Sequence, residues 1–198
     1  DTLLANVDRA ESSSVLDDLG LQPDDYAVLT MHRPSNVDDP DALARIIDAL
    51  ETIQQDMPVI CPIHPRTRKN MASFGLDVRL DALPGIRLID PVGYLDFLKL
   101  LANARIVLSD SGGIQEETTI LGVPCLTLRQ NTERPVTLGR HGNRLVGNDT
   151  AAIIAAYHES RDLPKERISP PPMWDGKAAD RIVDVLQQHL IGSPVAAT

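Results

Sequence analysis

Cysteine is nearly absent from this chain. Only Cys61 and Cys125 occur, each alone in an apolar, strand-like setting. Such positions predict buried free thiols, and their spacing matches no metal-binding motif. Acidic residues outnumber basic ones, 28 to 19, giving a net charge of −9. A general nucleic-acid surface is therefore not expected, because phosphate backbones call for concentrated Lys and Arg. No apolar run approaches membrane-spanning length, so no membrane partner is expected. A Gly-x-Gly-x-x-Gly dinucleotide fingerprint is missing, and no His/Asp/Glu group has ligand spacing. No cofactor and no metal are expected. Free thiols suit a reducing cytoplasm, which is the expected location.

What is present is an ordinary globular composition, 42% hydrophobic and 24% charged over 198 residues. That length suits one domain with a substantial core. Asn6 to Leu19 predicts a helix ended by Gly20, and Tyr26 to Met31 a strand. Asp39 is a strong N-cap candidate with Pro40 at the first helical position. Leu43, Ile46, Ile47, Leu50 and Ile53 then recur at helical spacing. Strands are expected over Pro58–Ile63, Ile86–Ile89, Arg105–Ser109, Pro124–Leu128 and Arg144–Val146. Helices are expected over Arg66–Phe74, Tyr94–Ala102, Gly113–Leu121, Thr150–Ser160 and Lys177–Leu190. The segment Pro164 to Trp174, with three consecutive prolines, reads as a stiff connector outside the core. Alternating strands and helices imply right-handed βαβ units, hence an α/β fold with a parallel sheet covered on both faces.

In such sheets ligands sit beyond the carboxyl ends of the strands. His32, His64, the Pro91–Tyr94 turn, Ser111-Gly112-Gly113 and Arg129–Arg134 all fall there. The densest information lies in Asp110-Ser111-Gly112-Gly113-Ile114-Gln115-Glu116-Glu117. A strand ending in Ser-Gly-Gly at a helix start can hold a phosphate, since glycines allow close approach and the first turn offers unpaired N–H groups. Glu116 and Glu117 follow about one turn later, where one carboxylate could accept from a ribose diol. Adjacent helical residues point about 100° apart, so only one of the two is expected to face the ligand. The glycine pair alone fits a tightly packed turn equally well. Glu117 and the Glu133-Arg134-Pro135 turn favour the nucleotide reading.

These residues carry a family resemblance. Asp110 to Pro135 resembles the nucleotide-binding signature of the non-hydrolysing UDP-N-acetylglucosamine 2-epimerases. Thr30-Met31-His32-Arg33-Pro34-Ser35-Asn36 is similar to their Thr-x-His-Arg-x-x-Asn motif. Tyr94-x-x-Phe97 and Trp174-Asp175-Gly176-Lys177-Ala178-Ala179 follow in the same order. The resemblance spans nearly the whole chain, yet covers only the second of two Rossmann-like domains in the GT-B arrangement. It implies that residues 1–198 form a single UDP-binding domain, with the first domain of the parent enzyme lying outside this chain. Asp1 in place of Met is in keeping with a piece of a longer protein.

The resemblance further implies roles. Ser111, Gly112 and Gly113 would cradle a diphosphate, Glu117 would read the ribose, and Arg134 would orient Glu117 or the phosphate. Uracil would lie near the Pro91–Tyr94 turn and Phe97. His32, the expected catalytic contact, would touch the nucleotide sugar beside its diphosphate, with Arg33 next to it. Arg33 and His64 match contacts of a second, activating UDP-N-acetylglucosamine in some bacterial members. On spacing alone Tyr94, Phe97 and Leu101 form a core stripe equally well, and Arg66, Arg68 and Lys69 read as solvated cations. The implied reaction interconverts UDP-N-acetylglucosamine and UDP-N-acetylmannosamine by elimination and re-addition of UDP, in a homodimer. In the family the last helix crosses to the first domain, so Lys177–Leu190 is expected to leave an apolar stripe open for association. A GT-B glycosyltransferase, a hydrolysing epimerase and a stand-alone UDP-sensing module are the alternatives.

Overall fold

The computed structural model of the chain describes residues 1–165 and 168–191. Six short strands form one sheet: β1 (Ala27–Thr30), β2 (Val59–Pro62), β3 (Ile86–Ile89), β4 (Ile106–Ser109), β5 (Cys125–Thr127) and β6 (Asn143–Leu145). Every adjacent pair is parallel, in the order β3-β2-β1-β4-β5-β6. The order reverses between β1 and β4. Their carboxyl ends therefore open a crevice that the connecting helices leave uncovered.

Side chains alternate across the sheet as a strand's period of two requires. Ala27, Leu29, Val59, Cys61, Ile106, Leu108 and Leu126 share one core. It is closed by α4 (Pro40–Ile53), α5 (Pro65–Ser73), α6 (Asp77–Asp81) and α9 (Thr150–Ser160). Val28, Ile60, Val107 and Cys125 face the other way. There they pack on α2 (Val15–Leu19), α7 (Tyr94–Ala102) and α8 (Gly112–Leu121). The α/β doubly covered parallel sheet is thus the one the sequence predicts, and both thiols are buried and free.

The α4 helix follows its signals closely. The Asp39 side chain caps the N–H groups of Asp41 and Ala42, Pro40 opens the helix, and all five periodic positions are buried. Elsewhere the chain departs from expectation. Asn6–Leu19 is two helices, α1 (Thr2–Ala10) and α2. The break falls at Ser12–Ser14, where Ser13 Oγ donates to Asp96 at 2.6 Å and accepts from Val15 N–H, competing with helical backbone bonds. The single-turn α3 (Pro34–Val37) and α6 escape any periodicity test because they are too short to show one.

The Pro164–Trp174 connector is partly core, with Glu166 and Arg167 outside the described residues. Ile168 is buried over Gly142, where a Cβ would fall 2.7 Å from the isoleucine. The last helix, α10 (Ala178–Ile191), keeps Ile182, Val185 and Leu186 exposed. With Met173 and Trp174 they line an open groove of about 530 Å³.

Leu50 is fully buried on α4. Leu50→Ala is expected to lower unfolding free energy by about 2–5 kcal/mol in a urea titration, through lost transfer energy and the cavity left behind. A loss below about 1 kcal/mol would mean that α4 is not packed as described.

Candidate functional site

The crevice between β1 and β4 is organised by one acid. Thr30 and Ser109 are cross-strand partners whose hydroxyls lie 2.7 Å apart. One residue beyond, Asp110 is completely buried. A buried carboxylate needs its lone pairs filled. Here the His32 backbone N–H bridges both oxygens at 3.1 Å, and the Arg33 N–H donates to Oδ2 at 2.9 Å. Asn36 Nδ2 adds a bond of 3.2 Å while also reaching the Leu128 carbonyl at 2.8 Å. The His32 ring supplies a further contact, with Nδ1 3.2 Å from Oδ1. His32 keeps its side chain half exposed at the rim.

Beside Asp110 the chain turns into α8. Ser111 stands at the N-cap but its side chain caps nothing, and its N–H is taken by Ser109 Oγ at 3.0 Å. The first turn of α8 therefore lacks the side-chain acceptor that most helix starts carry. Gly112 and Gly113 face open space: an added Cβ would meet nothing nearer than Glu133 Oε2 at 3.9 Å and Ser111 Oγ at 3.8 Å. Close packing of protein on the glycines does not explain them. Gly122, by contrast, ends α8 in the left-handed conformation at φ 71°, a backbone requirement.

Behind this opening lies a buried polar network that the sequence analysis missed. Gln115 is fully buried; its Oε1 accepts from Thr132 Oγ1 at 2.5 Å and from Asn143 Nδ2 at 3.1 Å. Asn143 also donates to Thr137 Oγ1 and accepts from Thr127 Oγ1. The loop after β5 is thereby tied to α8. Along that loop Arg129 grips Glu133 through its two terminal guanidinium nitrogens, at 2.7 and 2.8 Å. The hydrogen bonds from Arg129 hold the Glu133 carboxyl down to about 2, with Arg33 adding a weaker pull.

Glu116 and Glu117 part company as helical geometry requires. Glu116 lies on the loop side, its Oε1 2.5 Å from Arg134 Nε in an ion pair that lacks hydrogen-bond alignment. Arg134 thus pairs with Glu116 and not with Glu117, which leaves the phosphate as the other role expected of it. Glu117 lies toward the start of α7. Burial and then Glu116 push its carboxyl above the ordinary range; Tyr94 is raised too, by burial first and by the Glu117 charge second. Phe97 is partly buried against the core behind α7, so it serves packing at least in part.

The two residues of the expected effector site, His64 and Arg33, follow β2 and β1. His64 is the exposed N-cap of α5, its Nδ1 accepting from the Arg66 N–H at 3.2 Å. That capping bond is the local reason for a polar residue there. The neighbouring cations are paired, Arg66 with Asp38 and Arg68 with Asp90. Arg33 instead lines a cleft of about 380 Å³ with Asn36, Leu128, Arg129, Asn131 and Asn148. Its Nε is buried without a partner. No group of three or more His, Cys, Asp or Glu capable of holding a metal occurs among the described residues. Nor does any described helix have the length and apolarity to cross a membrane.

Comparison with known proteins agrees with this geometry. A family model described as UDP-N-acetylglucosamine 2-epimerase matches residues 1–187. The UDP-N-acetylglucosamine 2-epimerase of Methanocaldococcus jannaschii is 45% identical over 165 residues, 82% of this chain and 44% of that protein. The UDP-2,3-diacetamido-2,3-dideoxy-D-glucuronate 2-epimerase of Pseudomonas aeruginosa is 42% identical over 138 residues, 69% of this chain and 37% of the relative. The solved structure of the Methanocaldococcus enzyme in complex with UDP-GlcNAc and UDP superposes with a TM-score of 0.84 at 41% identity, covering 93% of this chain and 51% of the other. The chain spans about half the length of the relatives it matches. With its site at the β1–β4 crevice and its match over nearly all residues, the chain belongs to the UDP-N-acetylglucosamine 2-epimerase family.

Proposed function

We propose that this chain is the UDP-binding half of an enzyme that interconverts UDP-N-acetylglucosamine and UDP-N-acetylmannosamine. It corresponds to the second Rossmann-like domain of a GT-B arrangement. The observation that carries the reading is the open, uncapped start of α8 at Gly112-Gly113, beside the half-buried Glu117. A diphosphate would fill the N–H groups of Gly112 and Gly113 in the first turn of α8, beside the uncommitted Ser111 side chain, where the helix dipole favours negative charge. Glu117 would accept from the ribose hydroxyls, with uracil against the Pro91–Tyr94 turn and Phe97. His32 and Arg33, held by Asp110, would meet the diphosphate oxygens next to the sugar.

In the reaction a base removes the proton from C2 as the C1–O bond breaks and UDP leaves with the electron pair. Re-addition of UDP at C1 with protonation on the opposite face of C2 yields the epimer. The leaving UDP must be retained between the steps, which is the task of this half. His32 would stabilise the departing phosphate by donating to it. The acid and base acting at the sugar belong to the other half, as does a surface covering the exposed face of α10. A cytoplasmic homodimer with no nucleic-acid or membrane partner completes the reading.

Calorimetric titration tests the site. UDP should bind saturably, ADP should fail to reproduce it, and Glu117→Ala should weaken UDP by about 10- to 100-fold, the loss of charge-assisted hydrogen bonds. Because the Glu117 carboxyl titrates above the ordinary range and must be ionised to accept, affinity should fall as pH drops through that raised value. Glu117→Ala should lack this acid limb. Equal binding of ADP, or an unchanged affinity in the variant, would contradict the assignment. Purified alone, the chain should produce no C2 epimerisation by proton NMR; measurable turnover would refute its being only the binding half.

A further inference from the structure

The proposed diphosphate cradle already contains an anion, supplied by the chain itself. Glu133 Oε2 stands 3.9 Å from the point that a Cβ on Gly112 would occupy, at the start of α8. Both its oxygens are held by Arg129, whose side chain is only 12% exposed, while the Glu133 side chain is 57% exposed. Arg129 is fixed further by Asn131 Oδ1 at 3.2 Å. Arg33 is near enough to add to the pull on the same carboxylate. So a solvent-facing acid occupies the meeting point of a helix start and two arginines, and the neighbouring Thr132 is anchored to buried Gln115. The anchor ties the loop backbone to α8, and the Glu133 side chain next to it opens to solvent.

We propose that Glu133 is an internal counter-ion that a ligand phosphate displaces, and so a residue that sets which ligands the site accepts. Resting on the UDP reading above, the inference adds a charge requirement to it. Without ligand, the carboxylate neutralises Arg129 and keeps the cation oriented. A phosphate group, carrying more charge and more acceptor oxygens, takes over Arg129 and the α8 amides, and Glu133 turns to solvent. A neutral ligand group offers Arg129 nothing in exchange and leaves the pair closed. The pair is bidentate and Arg129 nearly buried, so breaking it has a cost, which the phosphate offsets by accepting from the same two N–H groups.

Titrating UDP into the wild-type chain, Glu133→Gln and Asp90→Asn tests the idea. Asp90 is a rim carboxylate that controls for a general loss of negative charge; its side chain is 95% exposed. Removal of the competitor should tighten UDP binding about two- to tenfold in Glu133→Gln, with Asp90→Asn unchanged. Equal or weaker binding by Glu133→Gln, alongside normal wild-type binding, would overturn the displacement and make Glu133 an organiser of Arg129. The same gain in Asp90→Asn would overturn it in favour of net charge. If none of the three proteins binds UDP, the uridine reading itself fails and this inference falls with it.

Discussion

The hydrogen-bonded burial of the Asp110 carboxylate is the interaction on which the site depends. It lies one residue past the end of β4, at the point where the strand order reverses. Taking a carboxylate out of water is costly unless its acceptor positions are filled. They can be filled only if the loop after β1 folds over it, presenting the N–H groups of His32 and Arg33 and the amide of Asn36. The same requirement therefore fixes where the His32 imidazole stands and where Arg33 begins. Asn36, bonded also to the Leu128 carbonyl, passes the constraint on to the strand end at β5. Three loops that are remote in sequence share one acceptor network.

A second buried network, centred on Gln115 and Asn143, performs the same task for the loop carrying Arg129, Glu133 and Arg134. The two networks differ from the ion pairs at the rim. Buried and satisfied polar groups fix positions because leaving any partner unpaired costs about 1–3 kcal/mol. Exposed pairs such as Arg66–Asp38 and Arg68–Asp90 gain little in water and can rearrange. Backbone and loop positions are thus set from below, while the charged side chains at the rim keep freedom to answer a ligand. This division suits a site that must grip a leaving group through two chemical steps.

Much of the scaffold was legible because single residues carry their own physical cause. Asp39-Pro40 announces a helix start, and the aliphatic period from Leu43 to Ile53 reports a buried face. Ser111-Gly112-Gly113 after an apolar strand marks an open helix start, and the structure leaves it open. Less legible was anything that depends on partners far away in the chain. Nothing local distinguishes Asp110, buried among donors from residues 32 to 36, from an exposed loop acid; only its place at a strand end between β-branched residues and glycines hinted at it. Gln115 and Asn143 likewise look like surface residues until the fold brings them together. The choice of Glu116 rather than Glu117 by Arg134 depends on which side of α8 the later loop crosses, and that direction has no local signal. Ser12–Ser14 could have warned of the break between α1 and α2, since three serines compete with helical hydrogen bonds.

The most direct measurement is amide hydrogen exchange at His32 and Arg33 in Asp110→Asn against the wild type, with Val28 in β1 as the internal reference. Asparagine matches the shape but offers one oxygen and an unwanted donor pair. Those two amides should lose about 10- to 100-fold of their protection while Val28 keeps its own, matching the loss of a hydrogen bond to a charged group. Unchanged protection at His32 and Arg33 would show that the loop is held without the carboxylate, and that Asp110 is not the constraint on which the site is built.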